Sequence, residues 1–160
     1  MYKRYTKRLL DIVLGLALLI VSLPLYCVIA LIIKCTSHGP VIFRQWRTGL
    51  RGARFTMYKF RTMAHDNDVH DSTKGDHVTG VGRILRMTSL DELPQLINVI
   101  RGDMSFIGPR PWITEYYKHM TLDQRRRTAV RPGITGLAQA YGRNNLTIHE
   151  KIAYDLEYVD

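Results

Sequence analysis

From Ile12 to Ile33 the chain runs 22 residues without a charge. At ~1.5 Å per residue that is enough helix for a hydrocarbon core of roughly 30 Å. Pro24 interrupts it, removing the N–H that would bond the carbonyl of Ile20. Ser22 and Tyr26 stand close enough to satisfy backbone groups freed at such a break. Lys3, Arg4, Lys7 and Arg8 precede the run, and Lys34, Arg44, Arg47, Arg51 and Arg54 follow it. A spanning helix carries one basic and one poorer flank, so two basic flanks suggest that both ends stay on the cytoplasmic side. Each arm of about eleven residues reaches ~16 Å, half a bilayer. The pattern predicts a membrane segment over 1–36 that dips in and returns, bent at Ser22 and Pro24, with a plain kinked span as the alternative. Asp11 falls near the interface, beside Lys7 or Arg8. A signal peptide fits less well, because the run is too long and no small-residue cleavage site follows Lys34. A buried core helix would need a larger soluble domain than the rest of the chain supplies.

Residues 37–160 read as one small α/β (α+β) domain. Gly39–Arg47 and Arg54–Thr62 have strand composition and flank Gly49 and Gly52, which predicts a β-hairpin. Lys59 and Arg61 share a strand face by the two-residue period. Gly82–Met87 reads as a short helix or turn. Leu93, Leu96, Ile97 and Ile100 then form one helical stripe, with Ser89 and Glu92 as a capping box, a start within 89–91 and Gly102 as the stop. Residues 112–130 read as helical, with Arg125, Arg126 and Arg127 on a solvated or lipid-facing surface. Thr147 and Glu150 cap a last helix whose stripe is Ile148, Ile152, Leu156 and Val159.

Composition adds a direction. The 160 residues carry a net charge of +9, with a pI near 9.8, which favours a polyanionic partner: nucleic acid, acidic lipid or a phosphorylated substrate. Cys27 and Cys35 have no metal-knuckle or disulfide-framework spacing, and read as buried, inert thiols. Residues 64–80 are rich in Asp and His, but Asp66 and Asp68 lack the Gly and Glu that complete a calcium loop. That stretch reads as a solvated loop.

The candidate chemistry begins with Asp91 and Glu92, at the start of the predicted helix, where the dipole and free N–H groups favour anions. Ordinary helix-start acids would look the same. Adjacent helical residues diverge by about 100°, so the two carboxylates must do different jobs. Arg86 lies five residues upstream. Pro109 and Pro111 stiffen the backbone around Arg110, as a phosphate-gripping guanidinium needs. Lys59 with Arg61 is either a phosphate clamp or an exposed basic edge. The segment from Arg131 to Asn145 is glycine-rich and basic, suited to an anion-binding hollow, but matches neither nucleotide-loop fingerprint. Asp155 lies beside the last helix's stripe, as a site residue or as an arginine's partner.

Five motifs in this order resemble the bacterial sugar transferase family, the small monotopic phosphoglycosyl transferases acting on polyprenyl phosphate. They are Gly39–Gln45, Tyr58–Met63, Thr88–Leu96, Arg101–Pro111, and Arg131–Gly136 through Gly142-Arg143-Asn144. The resemblance implies a re-entrant N-terminal helix and a small domain on the cytoplasmic face of the bacterial inner membrane. It implies transfer of a sugar 1-phosphate from a UDP-sugar to polyprenyl (undecaprenyl) phosphate, with release of UMP, as the initiating step of glycan assembly. Asp91 matches the nucleophile that forms a phosphosugar–aspartate intermediate, Glu92 the second acid, and Mg²⁺ is required, with these two acids as its ligands. Lys59, Arg61, Arg86, Arg110, Arg143 and Asp155 fall at phosphate, nucleotide or supporting positions. The implied partners are donor, acceptor and membrane lipids, not nucleic acid; a homodimer stays open. Two departures stand out: Leu23-Pro24 replaces the usual Ser-Pro at the bend, and members commonly continue beyond this chain's last residue. Two other classes remain on the residues alone. One is a membrane-anchored basic module that binds anionic lipid or nucleic acid; the other is a metal-dependent phosphohydrolase.

Overall fold

The computed structural model describes residues 2–64, 77–142 and 145–160, with side chains from Tyr5 onward. The Asp- and His-rich stretch over 65–76 lies outside the described residues, as do Arg143 and Asn144.

Helix α1 (Tyr2–Thr36) continues through Pro24. It is long and apolar enough to cross a membrane, and only 11% of its apolar window is buried. One stripe faces the rest of the protein. Near its start, Arg8 donates to the carbonyls of Val99 (2.6 Å) and Ile100 (2.8 Å). Lys7 donates to Ser105 Oγ and the Ile107 carbonyl. Asp11 accepts from the Phe106 N–H, and its ion pair is with Lys7 at 3.6 Å. At Gly15 a Cβ would stand 3.1 Å from Ile100 Cγ1, so the helices lie close. Further on, Ile29 and Ile33 are buried against Phe60 and Leu85, and the Tyr26 hydroxyl donates to the Leu93 carbonyl. Ser22 donates to the carbonyls of Leu18 and Leu19, one turn before the proline gap. The opposite face exposes Leu9, Val13, Ile20, Val21, Leu31 and their neighbours. Cys27 and Cys35 lie on that exposed face, so the expected burial of the thiols is corrected.

The hairpin forms as expected. Strands β1 (Ile42–Thr48) and β2 (Arg54–Phe60) pair antiparallel, Ile42 opposite Phe60 and Thr48 opposite Arg54. Phe55 and Met57 turn inward to a core with Val99 and Met104. Helix α2 (Gly80–Thr88) ends at Ser89, whose φ of 57° is left-handed. The chain then makes a single 3-10 turn, Leu90–Glu92, and α3 (Gln95–Arg101) begins only after Pro94.

This start differs from the predicted one. Ser89 makes no side-chain cap, because the left-handed bend that reverses the chain takes its place. Pro94, lacking an N–H, fits just ahead of the first turn. The stripe also shifts. Ile97 is exposed, whereas Asn98 is fully buried. The Asn98 amide docks on the open edge of β2, accepting from Tyr58 N–H and donating to the Thr56 carbonyl.

Two short strands were not legible in the sequence: β3 (Ser105–Ile107) pairs parallel with β4 (Gly133–Thr135). The glycines of that region serve this contact. A Cβ on Gly133 would lie 2.2 Å from Gly108 N, and one on Gly136 would lie 2.3 Å from the Gly108 carbonyl. The Gly133 N–H bonds the Pro109 carbonyl, so it is not spare for an anion. The predicted single helix over 112–130 is broken into α4 (Thr114–Lys118), α5 (Leu122–Arg125) and a 3-10 turn, Arg126–Thr128. Thr121 restarts it with its own capping box to Gln124. Helix α6 (Leu137–Tyr141) follows β4, and α7 (Ile148–Val159) starts from the predicted Thr147–Glu150 box.

Candidate active site

Asp91 and Glu92 sit in the turn between α2 and α3, with side chains held inside the protein. Both meet one lysine from β2: Lys59 Nζ is 2.7 Å from Glu92 Oε1 and 3.6 Å from Asp91 Oδ2. Arg110, from the loop after β3, donates to the same Glu92 oxygen at 2.6 Å. Arg86 is anchored by Nε to Thr62 Oγ1 at 2.9 Å. Its charge favours ionised Asp91.

The environments of the two acids differ. Burial pushes the Asp91 carboxyl above its ordinary range, against the pull of Lys59 and Arg86. Burial opposes ionisation of Glu92 too, but Arg110 and Lys59 together hold it below its usual value. One acid is therefore a poorly solvated carboxylate with basicity to spare, and the other a fixed anion that organises two cations. Ser89, beside them, spends backbone strain of order 1 kcal/mol on its left-handed conformation.

Two clefts open on this cluster. One, of about 580 Å³, reaches between α4, α6 and α7 and includes Trp112, Tyr116, Gln139, Lys151 and Asp155. The other, of about 1160 Å³, runs along the hairpin and includes Asp91, Lys59, Phe43, Phe60 and Arg61. They share Arg47, Arg86, Ser89, Glu92, Arg110 and Ile113. A carboxylate pair flanked by cations, where two clefts meet, offers charge complementary to anionic phosphate groups in both clefts.

The profile of the bacterial sugar transferase family matches residues 2–160. The chain belongs to that family. It is 42% identical over 96% of its length to the uncharacterized sugar transferase EpsL of Bacillus subtilis, covering 77% of that protein. It is 46% identical over 96% of its length to the UDP-glucose:undecaprenyl-phosphate glucose-1-phosphate transferase of Caulobacter vibrioides. It is 38% identical over 98% of its length to the undecaprenyl-phosphate galactose phosphotransferase of Salmonella typhimurium. The chain spans 62% of the Caulobacter protein and 37% of the Salmonella one.

In this family member the residues singled out in the sequence fall into two groups. Lys59, Arg86 and Arg110 gather around Asp91 and Glu92. Arg61 and Asp155 touch the clefts but are engaged in structure. Arg61 is buried and donates to the carbonyls of Ser37 and His38, closing the end of α1. Asp155 is 2% exposed and accepts twice from Arg127, at 3.0 and 2.5 Å. Burial raises its carboxyl, with Arg127 opposing.

Arg127 itself corrects the surface reading of the arginine run. It is 3% exposed, stacks over Trp112 at 4.5 Å, and donates to the Arg110 carbonyl at 2.7 Å. Its buried anionic partner lies 28 residues on, too far for the local pattern to signal. Arg47, read in the sequence only as part of the basic flank after the apolar run, is another arginine that the structure places differently. On β1's inward face it enters both clefts, donating to Gln45 Oε1 and the Pro111 carbonyl. Burial, with the like charge of Arg110, lowers it to about 10. Strand alternation was the available signal, since Arg47 shares a face with Phe43 and Gln45.

Proposed function

We propose that this chain transfers a sugar 1-phosphate from a UDP-sugar to polyprenyl phosphate on the inner leaflet of a bacterial cytoplasmic membrane, opening the assembly of a glycan. The observation that carries the reading is the Asp91–Glu92 pair, ringed by Lys59, Arg86 and Arg110, at the junction of two clefts in a sugar transferase fold. The names of the Caulobacter and Salmonella relatives supply the substrate classes.

In the first half-reaction an Asp91 oxygen attacks the β-phosphorus of the donor. A carboxylate–phosphorus bond forms, the bond from that phosphorus to the bridging oxygen breaks, and UMP leaves with the electron pair. In the second, an oxygen of polyprenyl phosphate attacks the same phosphorus and Asp91 is released. Incomplete solvation makes Asp91 the stronger nucleophile, while the charge of Lys59 favours its ionised form. Glu92 aims Lys59 and Arg110 at the phosphates. The wide cleft beside Phe43 and Phe60, close to α1, suits the lipid phosphate, and the cleft beside Trp112 suits the nucleotide.

The donor set fits Mg²⁺. Asp91 and Glu92 offer oxygens only, and no cluster of three metal-ligating side chains occurs among the described residues. Mg²⁺ commonly takes one or two carboxylates and completes its shell with substrate phosphates and water. Bound there, it would neutralise charge on the diphosphate.

Helix α1 is read as re-entrant. Support comes from its contacts: residues 7–15 pack on α3 and β3, and residues 26–33 on the hairpin and α2, leaving an apolar outer face for lipid. Contacts with one domain at both ends of the apolar run favour a segment that enters and leaves by the same face over one that crosses roughly 30 Å of hydrocarbon.

The test is UMP release from a panel of UDP-sugars in nanodiscs, with Mg²⁺, with and without polyprenyl phosphate. Multiple turnover that needs the lipid and disappears in Asp91→Asn is expected. Equally fast release without lipid would overturn transfer in favour of hydrolysis.

A further inference from the structure

The cleft beside Trp112 contains an oddity that the phosphate chemistry does not use. The side-chain amide of Gln139, on α6, is buried, and among the described residues neither its Nε2 nor its Oε1 has a hydrogen-bond partner. Gln139 lines this cleft and not the one that contains Asp91. An amide taken from water and left unpaired on both atoms is costly, and native proteins rarely leave one so. The cleft it lines also carries Trp112, Tyr116, Ile134 and Ile148, aromatic and aliphatic surface that accommodates a flat ring, beside the polar Lys151 and Asp155. The cations Arg86 and Arg110 stand toward the carboxylates, where the clefts join.

We infer that Gln139 reads the nucleobase of the donor: its amide pairs with the edge of a uracil ring, donating to a ring carbonyl oxygen and accepting from the adjacent N3–H. Uracil offers a carbonyl acceptor next to an N–H donor, and a side-chain amide offers the complement at matching spacing, as Gln does with adenine edges. The inference rests on the nucleotide-sugar reading above and adds which residue recognises the nucleotide's base. It makes Gln139 a specificity residue, remote from the phosphorus.

The experiment measures binding of three probes to the full chain in nanodiscs, for the wild type and Gln139→Leu: UMP, its N3-methyl analogue, and inorganic pyrophosphate. Wild type should prefer UMP over the N3-methyl analogue by roughly 10- to 100-fold, the effect of one or two buried hydrogen bonds. Gln139→Leu should bind both uridine probes weakly and equally, and pyrophosphate as wild type does. Retained discrimination in the variant overturns the inference, as does a wild type that ignores the N3-methyl group. A loss of pyrophosphate binding equal to the loss of UMP binding also overturns it, since the amide would then merely support the cleft. A wild type that binds pyrophosphate but no UMP overturns the nucleotide-donor reading together with this one. UMP binding with unaltered discrimination in the variant overturns this one alone.

Discussion

Replacing Asp155 by Asn should both loosen the fold and disable the carboxylate site, to which Asp155 is linked through Arg127 and Arg110. Asp155 and Arg127 are 2% and 3% exposed, and Asp155 Oδ2 accepts from both Nε and Nη2 of Arg127. Removing one member of such a pair costs about 3–5 kcal/mol, because the other charge is left buried without an opposite. Asn keeps an oxygen acceptor, so about 3 kcal/mol is the expected loss. For a chain of this size that corresponds to a melting point lower by about 6–12 °C. The functional effect travels through the bond from Arg127 Nη2 to the Arg110 carbonyl, 2.7 Å long. Arg110 in turn grips Glu92. A shift of the Pro109–Pro111 loop by ~1 Å is enough to cost roughly 10²-fold in rate. Melting in nanodiscs and UMP release on the same samples read both effects. The double variant Asp155→Leu/Arg127→Met separates them. It should regain much of the stability, because no buried charge is left over, yet stay slow, because nothing holds the Arg110 carbonyl. A single variant that melts within about 2 °C of wild type, or a double variant with full activity, would refute the reasoning.

The site sets further outcomes. Asp91→Asn should abolish turnover while leaving stability equal or higher, and Glu92→Gln should lower stability by about 2 kcal/mol, since Lys59 and Arg110 lose their shared anion while partly open to solvent; paired denaturation and activity measurements check this. The acid limb of the rate profile should lie above the ordinary aspartate range, because the raised Asp91 must be ionised to attack, and it should be absent from binding. In stability the signs oppose: folded Asp91 binds its proton more tightly than unfolded, so its contribution falls as pH rises, whereas Glu92 stabilises above its ordinary 4.5 and that contribution is lost as pH falls through its depressed folded value. Melting of wild type and Asp91→Asn across pH should therefore diverge upward, with the variant gaining. Gly82→Ala should cost about 1–3 kcal/mol and slow catalysis, because its Cβ would lie 2.0 Å from the Thr62 carbonyl oxygen and push α2, with Arg86, off its anchor. Chelation of divalent cations should stop turnover and leave the melting point unchanged, since Lys59 and Arg110 already balance Glu92.

The local physics of the chain determined a good deal by itself. The uncharged run ending at Lys34, the hairpin around Gly49 and Gly52, the stop at Gly102 and the Thr147–Glu150 cap each depend on residues a few positions apart, where periodicity and turn chemistry act. The order of the motifs pointed to Asp91 and Glu92, and to Lys59, Arg86 and Arg110 as candidates to stand near them. Contacts between distant segments decided the rest. Nothing near Ser89 in sequence announces that a left-handed bend, rather than a capping box, begins the carboxylate turn. Asn98 is buried because its amide finds the edge of β2 about forty residues earlier. Gly133 and Gly136 are needed because their backbone passes against Gly108, where the glycine-rich composition of 131–145 suggested an anion-binding hollow. Arg127 and Arg126 are neighbours with the same side chain, yet one is buried and one exposed, because only Arg127 meets Asp155. Charge, burial and the pairing of polar groups are settled by what the folded chain brings alongside, and a window of sequence holds only one side of each such contact.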